Sequence, residues 1–411
     1  MSSEYSGVYV WIWLPGNTEP VVAGKLTAHG KVYLFNYGKS YLQREDAIPI
    51  FDVELPLRQG ILPLMPGLVI PGCLVILNKR LGSPIAATTD PAALDELTYL
   101  MESGSDRIGA LDFQLSPTEY VPRLSSNAPL EELIEAAELV QKGIPLTPEL
   151  AQALQHGTSI GGARPKVLIE GDGKKYIAKF STSSDTYSVV KAEFLAMRLA
   201  AMAGIDTAPV QLRTIAGKDV LLVERFDRTS TPSGWERKII LSALTLSGLD
   251  EMMARYASYE ILAEQIRSKF SNPRMTLREL FSRISFNILV GNTDDHARNH
   301  AALWNGLFFK HKPAYDICPQ PRHGGEASQA MLITGEKRLS RIANCLEAAP
   351  HFLLHSTEAE RIIRGQIACI ADNWDRVSEE ASLTTIDRTL LWRNQILNPD
   401  IATGLEPCWL P

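Results

Sequence analysis

The sequence predicts an α+β chain in which a β-rich amino-terminal domain precedes a second β-rich lobe and a mainly helical lobe. Three observations predict it. Short β-type runs separated by turn residues fill residues 7–55. A second β-type section, with one helix inside it, runs from Gly157 to Phe226. From Ile239 onward apolar residues recur at helical spacing. At 411 residues the chain exceeds what one hydrophobic core usually organises, so cooperating units are expected at 1–113, 130–228 and 229–411.

In the first unit, Val8 to Leu14, Val21 to Leu26 and Val32 to Phe35 read as strands of a meander, broken by Pro15-Gly16-Asn17. Trp11 and Trp13 share one strand face and are read as core or interface residues. A helix is expected within Pro91 to Ser103, and a Ser-, Pro- and Asn-rich linker over residues 114–130. Helices follow at Leu130 to Lys142 and Thr147 to Leu154. The second lobe holds a hairpin turning at Gly171-Asp172-Gly173 and a helix from Ser188 to Ala203. Helical periodicity marks Leu241 to Leu249, Tyr256 to Arg267, Leu277 to Val290 and Ala359 to Ser378.

Net charge is 41 − 47 = −6 with no long basic run, which disfavours direct DNA binding. Five scattered cysteines form no Cys-x-x-Cys pair and fit reduced thiols. No secretory leader or long apolar run is seen, so a cytoplasmic protein without a membrane span is expected.

The chemistry concentrates in Gly291-Asn292-Thr293-Asp294-Asp295-His296-Ala297-Arg298-Asn299, with Asp316 seventeen residues further on. Asp294 can accept a proton from a hydroxyl; Asn299 and Asp316 can hold Mg²⁺ against nucleotide phosphates. Upstream, a glycine-rich segment runs from Gly157 to Lys166 and includes Gly161, Gly162, Ala163, Arg164 and Pro165. Small residues there let backbone N–H groups approach phosphate oxygens. Lys179 lies in the β-type run Tyr176 to Phe180, where a phosphate-contacting lysine belongs. Glu193, fourteen residues later on the expected helix, is its candidate ion-pair partner. The apolar run Val220 to Val223 ends in Glu224-Arg225-Phe226-Asp227-Arg228. That is how an interlobe hinge should look, with backbone groups of Glu224, Arg225 and Phe226 for adenine and Asp227 in reach of a ribose. Taken singly each signal fits a turn or a solvated charge; their order along the chain is that of an ATP-dependent phosphotransferase with a bilobal protein-kinase-like fold.

The segments Ser159 to Ala163, Val223-Glu224-Arg225-Phe226-Asp227-Arg228, Thr293 to Asn299 and Tyr315-Asp316-Ile317 resemble those of HipA-type serine/threonine kinases, the toxins of toxin–antitoxin modules. Arg107 to Phe113 and Ser242 to Thr245 also look like family segments. The resemblance implies ATP and Mg²⁺ as cofactors, Asp294 as general base, and Asn299 and Asp316 as metal ligands. It places His296 and Tyr315 beside the nucleotide and residues 161–166 at the phosphates, and makes Ser159 a site of autophosphorylation. It implies a protein substrate, such as an aminoacyl-tRNA synthetase, and a helix-turn-helix antitoxin partner that would carry any DNA contact. Two departures stand out. The best-known members have Gln-Glu where this chain has Arg164-Pro165, and Asp295 replaces a small residue and is expected to face solvent. On the residues alone, a small-molecule kinase and a non-catalytic regulatory or DNA-complex scaffold remain the alternatives.

Overall fold

The chain is described here from a computed structural model covering residues 5–75, 95–123, 166–181, 187–215, 217–322 and 324–410, with Glu132, Glu135, Ala136, Leu139, Thr147 and Asp185. The glycine-rich segment through Pro165, Ser159 included, and the expected helices at 130–142 and 147–154 lie outside the described residues.

The first sheet forms because β1 (Gly7–Ile12), β2 (Val21–His29) and β3 (Val32–Tyr37) bury alternating apolar side chains on one face. A short helix, α1 (Lys39–Leu42), follows, and α2 (Glu96–Glu102) is capped by Asp95, whose carboxylate accepts the Thr98 amide at 2.8 Å. Strand β4 (Leu111–Gln114) completes the antiparallel order β3-β2-β1-β4. Beyond it the chain folds back. Tyr120 and Arg123 donate to Asp112 at 2.9 and 2.8 Å, and the Tyr120 ring packs between Trp11 and Trp13, at 5.5 and 5.4 Å. Both tryptophans are core residues of this domain.

In the second lobe, β5 (Lys166–Gly171) and β6 (Lys174–Phe180) form the expected hairpin. Asp172 and Gly173 take φ of 51° and 69°, the left-handed pair that a tight two-residue turn requires. Helix α3 (Val189–Met202) lies between Ser188 and Ala203, as the sequence reading had it. Strands β7 (Val210–Ile215) and β8 (Lys218–Glu224) close a sheet of order β5-β6-β8-β7, and β9 (Arg228–Thr231) pairs with β10 (Gly234–Arg237).

The third unit corrects one expectation. Ile239 to Ser242 is a strand, β11, and only Ala243–Leu246 is helical, α4. The β-branched Ile239-Ile240 pair gains a ladder with β12 (Ala301–Trp304), which outweighs the local helical spacing. β13 (Phe309–His311) completes this three-stranded sheet. Around it pack α5 (Tyr259–Lys269), α6 (Pro273–Val290), α7 (Ile342–Ala348), α8 (Ser356–Glu380) and α9 (Thr385–Leu391).

Helix α6 is central. Pro273 opens it at a position where no N–H is needed, and its second half is buried, including Phe281 and Phe286. Burial of each such ring stabilises the fold by roughly 1.5–3 kcal/mol. Gly291 ends it at φ 72°, and a Cβ there would come 2.6 Å from the Gln395 carbonyl oxygen. Only glycine fits, and this abrupt stop launches the acidic loop toward the cleft. Among the described residues no helix is long and apolar enough to cross a membrane.

Candidate active site

Lys179 on β6 and Glu193 on α3 meet as the sequence spacing suggested: the buried Lys179 ammonium donates to the Glu193 carboxylate and also to Asp316. One cation therefore bridges the second lobe to the third. Burial alone would raise the Asp316 carboxyl, but the charges of Lys179 and then Lys166 hold it well below the usual carboxylate range. Lys166 pairs across the hairpin with Lys179 in the ladder, which explains its reach. Burial pushes Glu193 up, against the pull of Lys179. Asp316 is thus an anion facing concentrated positive charge.

Asp316 takes φ 62°, a left-handed conformation that Asp tolerates better than most side chains. It is held there from both sides. Ala314 pairs with Asp206 and Ala208 through its amide and carbonyl at 2.7 and 2.9 Å, and Asn292 reaches the Asp316 carbonyl at 3.4 Å. Backbone strain of this kind clusters at functional sites.

The acidic loop places Asp294 in solvent and Asn299 under cover. Asn299 donates its side-chain N–H to the Asp294 carbonyl at 3.2 Å, leaving its side-chain oxygen for another ligand. His296 is half-buried and burial lowers its pKa, with Arg298 adding to the effect and Asp294 and Asp316 opposing it. Its Nδ1 is buried with no hydrogen-bond partner among the described residues.

Asp295 does not face solvent. It is buried, accepts the Tyr259 hydroxyl, and pairs with His300 Nε2 at 2.8 Å. Burial would raise its pKa, yet His300 and Tyr259 bring it below the ordinary value. A polar side chain turned inward survives because two donors satisfy it, and sequence spacing alone could not show them.

The hinge needs a second correction. Asp227 is not in reach of a ribose: it is buried between Arg225 and Arg228 and accepts the Gly109 amide at 2.8 Å. The Arg225 side chain points the same way, and the amides of Glu224 and Arg225 are used by Pro209 and Lys175 carbonyls at 2.9 and 2.8 Å. Phe226 points elsewhere, its ring 5.9 Å from that of Tyr315. Tyr315 is fixed by its hydroxyl, which donates to the Arg298 carbonyl at 2.7 Å. Behind these two rings lies Lys312, fully buried, a residue the sequence reading missed. Nothing in the local pattern Lys310-His311-Lys312 marks one lysine as interior.

The donor set suits a hard cation. Asp316 and Asn299 offer two oxygens, the small number from which Mg²⁺ is held when phosphates supply the rest. Among the described residues no cluster of three or more His, Cys, Asp or Glu could hold a metal.

Lobes joined by a hinge, a bridging lysine, and a loop carrying an acidic residue and an amide define a protein of the kinase fold. Residues 158–374 match the HipA-like C-terminal domain, and the chain belongs to that family, the HipA-type kinases. It is 27% identical over 339 residues, 74% of this chain and 76% of the relative, to Y4mE of Sinorhizobium fredii, which carries a provisional kinase name. It is also 27% identical over 183 residues to the serine/threonine-protein kinase toxin HipA of Shewanella oneidensis, covering 39% of this chain and 42% of that one. A chain of the solved Shewanella oneidensis complex of HipA, HipB and operator DNA superposes with a TM-score of 0.69 at 18% identity, covering 94% of this chain and 96% of that one. That likeness fixes the fold from the first sheet through the last helices.

Proposed function

We propose that the chain is an ATP- and Mg²⁺-dependent serine/threonine protein kinase, acting in the cytoplasm on a protein hydroxyl and regulated by autophosphorylation at Ser159. The observation that carries this reading is the shared ammonium of Lys179, bonded to Glu193 and Asp316 beside the loop that bears Asp294 and Asn299. A lysine in that position neutralises phosphate charge, and Asp316 with Asn299 would hold the cation, which when bound offsets charge on the phosphates.

The step itself is a displacement at the γ-phosphorus. A bond forms from the substrate hydroxyl oxygen to phosphorus, the bond from phosphorus to the β,γ-bridging oxygen breaks, and ADP leaves with that electron pair. The hydroxyl proton passes to the exposed Asp294 carboxylate. Phe226 and Tyr315 would bound the base, and the Phe226 amide, which makes no hydrogen bond within the protein among the described residues, is left for adenine. A protein acceptor is favoured over a small metabolite by the family to which the chain belongs. The helix-turn-helix antitoxin is proposed on the same ground, since the solved relative is assembled with HipB and operator DNA.

Incubation of the purified chain with γ-labelled ATP and Mg²⁺ tests the reading. Label should appear on the protein at Ser159 and vanish in Asp294→Ala. Wild-type protein that takes no label and consumes no ATP, with or without candidate acceptors, would remove the kinase reading.

A further inference from the structure

The side chains flanking Phe226, those of Arg225 and Asp227, grip the amino-terminal domain. Asp106, in the turn between α2 and β4, accepts Lys175 Nζ of β6 at 2.7 Å through Oδ2. Through Oδ1 it accepts Arg225 Nη1 at 3.1 Å and Arg228 Nε and Nη2 at 3.2 and 3.1 Å. The neighbouring carbonyls join in: Asp106 O and Arg107 O accept from Arg225 at 2.9 and 3.1 Å, and Arg107 O and Gly109 O accept from Arg228 at 2.6 and 2.8 Å. Asp227 ties the two arginines to each other and to the Gly109 amide.

Three cations, Arg225, Arg228 and Lys175, face Asp106, Asp227 and, 3.4 Å from Lys175, Glu170, and each guanidinium nitrogen of the two arginines meets an oxygen. This is the condition under which buried ions specify one geometry. Arg225 and Arg228 are 4% and 6% exposed, so water cannot replace these bonds if one is lost. The same domain also reaches the third unit, where Trp304 Nε1 donates to Pro49 O at 2.8 Å and Phe51 meets Phe309 at 6.1 Å. It therefore touches both sides of the hinge and the hinge itself. A hinge works by changing backbone angles at a few residues, and here three of four successive side chains are fastened to an outside domain.

We infer that Asp106 is a positioning residue for the nucleotide, holding the Glu224 to Phe226 backbone in one conformation from the amino-terminal domain. This rests on the proposed binding of ATP at that backbone. The domain's fastening thereby sets nucleotide affinity, while the chemistry at Asp294 proceeds independently of it.

The test compares the wild-type 411-residue chain with Asp106→Asn and Lys175→Met. MgADP affinity is measured by calorimetry, and KM for ATP and kcat by autophosphorylation and ATP consumption. Asp106→Asn should weaken MgADP and raise KM for ATP by about tenfold, the equivalent of losing one hydrogen bond to a charged group. At saturating ATP its kcat should stay within about twofold, since the reacting groups are untouched. A merely structural role would instead lower the active fraction and leave KM where it was. Lys175→Met removes the β6 end of the bridge, with its contacts to Glu170 and Trp235, at a partly exposed site and should shift KM in the same direction by less. It decides the matter if Asp106→Asn does not fold. Folded variants that bind MgADP as tightly as wild type overturn the inference, whereas wild type that binds no MgADP overturns the nucleotide reading beneath it.

Discussion

Asp294 and Asp295 are adjacent in the chain and face opposite ways: the Asp294 carboxylate lies in solvent, while the Asp295 carboxylate is buried against His300 at 2.8 Å. The two should separate cleanly on substitution. Asp294→Asn removes the proton acceptor from an exposed site, so kcat should fall by about 10²–10⁴-fold with stability within about 0.5 kcal/mol of wild type. Asp295→Asn leaves His300 and Tyr259 facing a neutral amide, and should destabilise by about 3 kcal/mol. Steady-state kinetics beside urea unfolding checks both. The assignment fails if Asp295→Asn is as stable as wild type, or if Asp294→Asn retains turnover.

Lys179 forms ion pairs with both Glu193 and Asp316. Lys179→Met would leave two carboxylates facing each other across the cleft. Loss of one preorganised charge at the phosphates should cost on the order of 10²–10³ in kcat/KM. Lys179→Arg should not restore it, because a planar fork cannot replace a compact ammonium between two acids. Recovery of most activity in Lys179→Arg would show that charge alone matters there.

The cluster around Asp227 predicts an acid transition. Burial opposes its ionisation, but Arg225 and Arg228 bring its pKa from 3.8 down to about 2. Asp106 is lowered too, by Arg225, Arg228 and Lys175 against burial. A carboxyl depressed in the fold stabilises it fully above the unfolded value and loses that contribution as pH falls through the folded one. For Asp227 this is on the order of 2 kcal/mol, present above about pH 4 and gone below about pH 2. Trp13, with Arg237 3.6 Å over its ring, and Trp235, with Lys175 at 5.3 Å, should report the loss by fluorescence. Arg225→Met should move its onset to higher pH; an unchanged onset would count against the cluster.

What the sequence revealed and what it hid divide by the range of the interaction. The turn at Asp172-Gly173, the helix between Ser188 and Ala203, and the pairing of Lys179 with Glu193 follow from local propensity and spacing within fourteen residues. The Asp106 contacts to Arg225 and Arg228 span 119 and 122 residues, so Arg225 and Asp227 read as hinge residues open to a ligand. Asp295 was hidden for the same reason, since Tyr259 lies 36 residues away. Strand β11 was read as helix because its partner β12 comes more than fifty residues later, and a strand's reward is its partner. The glycine-rich segment up to Pro165 stays an expectation from the sequence, as it lies outside the described residues.

Lys312 carries the last prediction, and its sign is unusual. Its amine is fully buried and meets the Asn299 carbonyl at 3.5 Å, the Tyr315 ring at 3.2 Å and the Phe226 ring at 4.9 Å, with no carboxylate in salt-bridge range among the described residues. The two rings favour the cation by about 2 kcal/mol, whereas enclosing an ammonium costs several kcal/mol, so enclosure wins. Burial, and next the charge of Arg283, push the amine well below the usual lysine value, with Asp316 and Asp295 opposing. A base depressed in the fold penalises folding at any pH where the unfolded chain would hold the proton, and stability rises as pH climbs toward the unfolded value. Lys312→Met removes that penalty while keeping length and packing. It should therefore be more stable than wild type at pH 7, by about 1–3 kcal/mol, with a flatter dependence between pH 7 and about 10. Urea unfolding of both proteins at pH 7 and 9.5 decides it: a variant less stable than wild type at pH 7 would mean that Lys312 is folded as a stabilised cation.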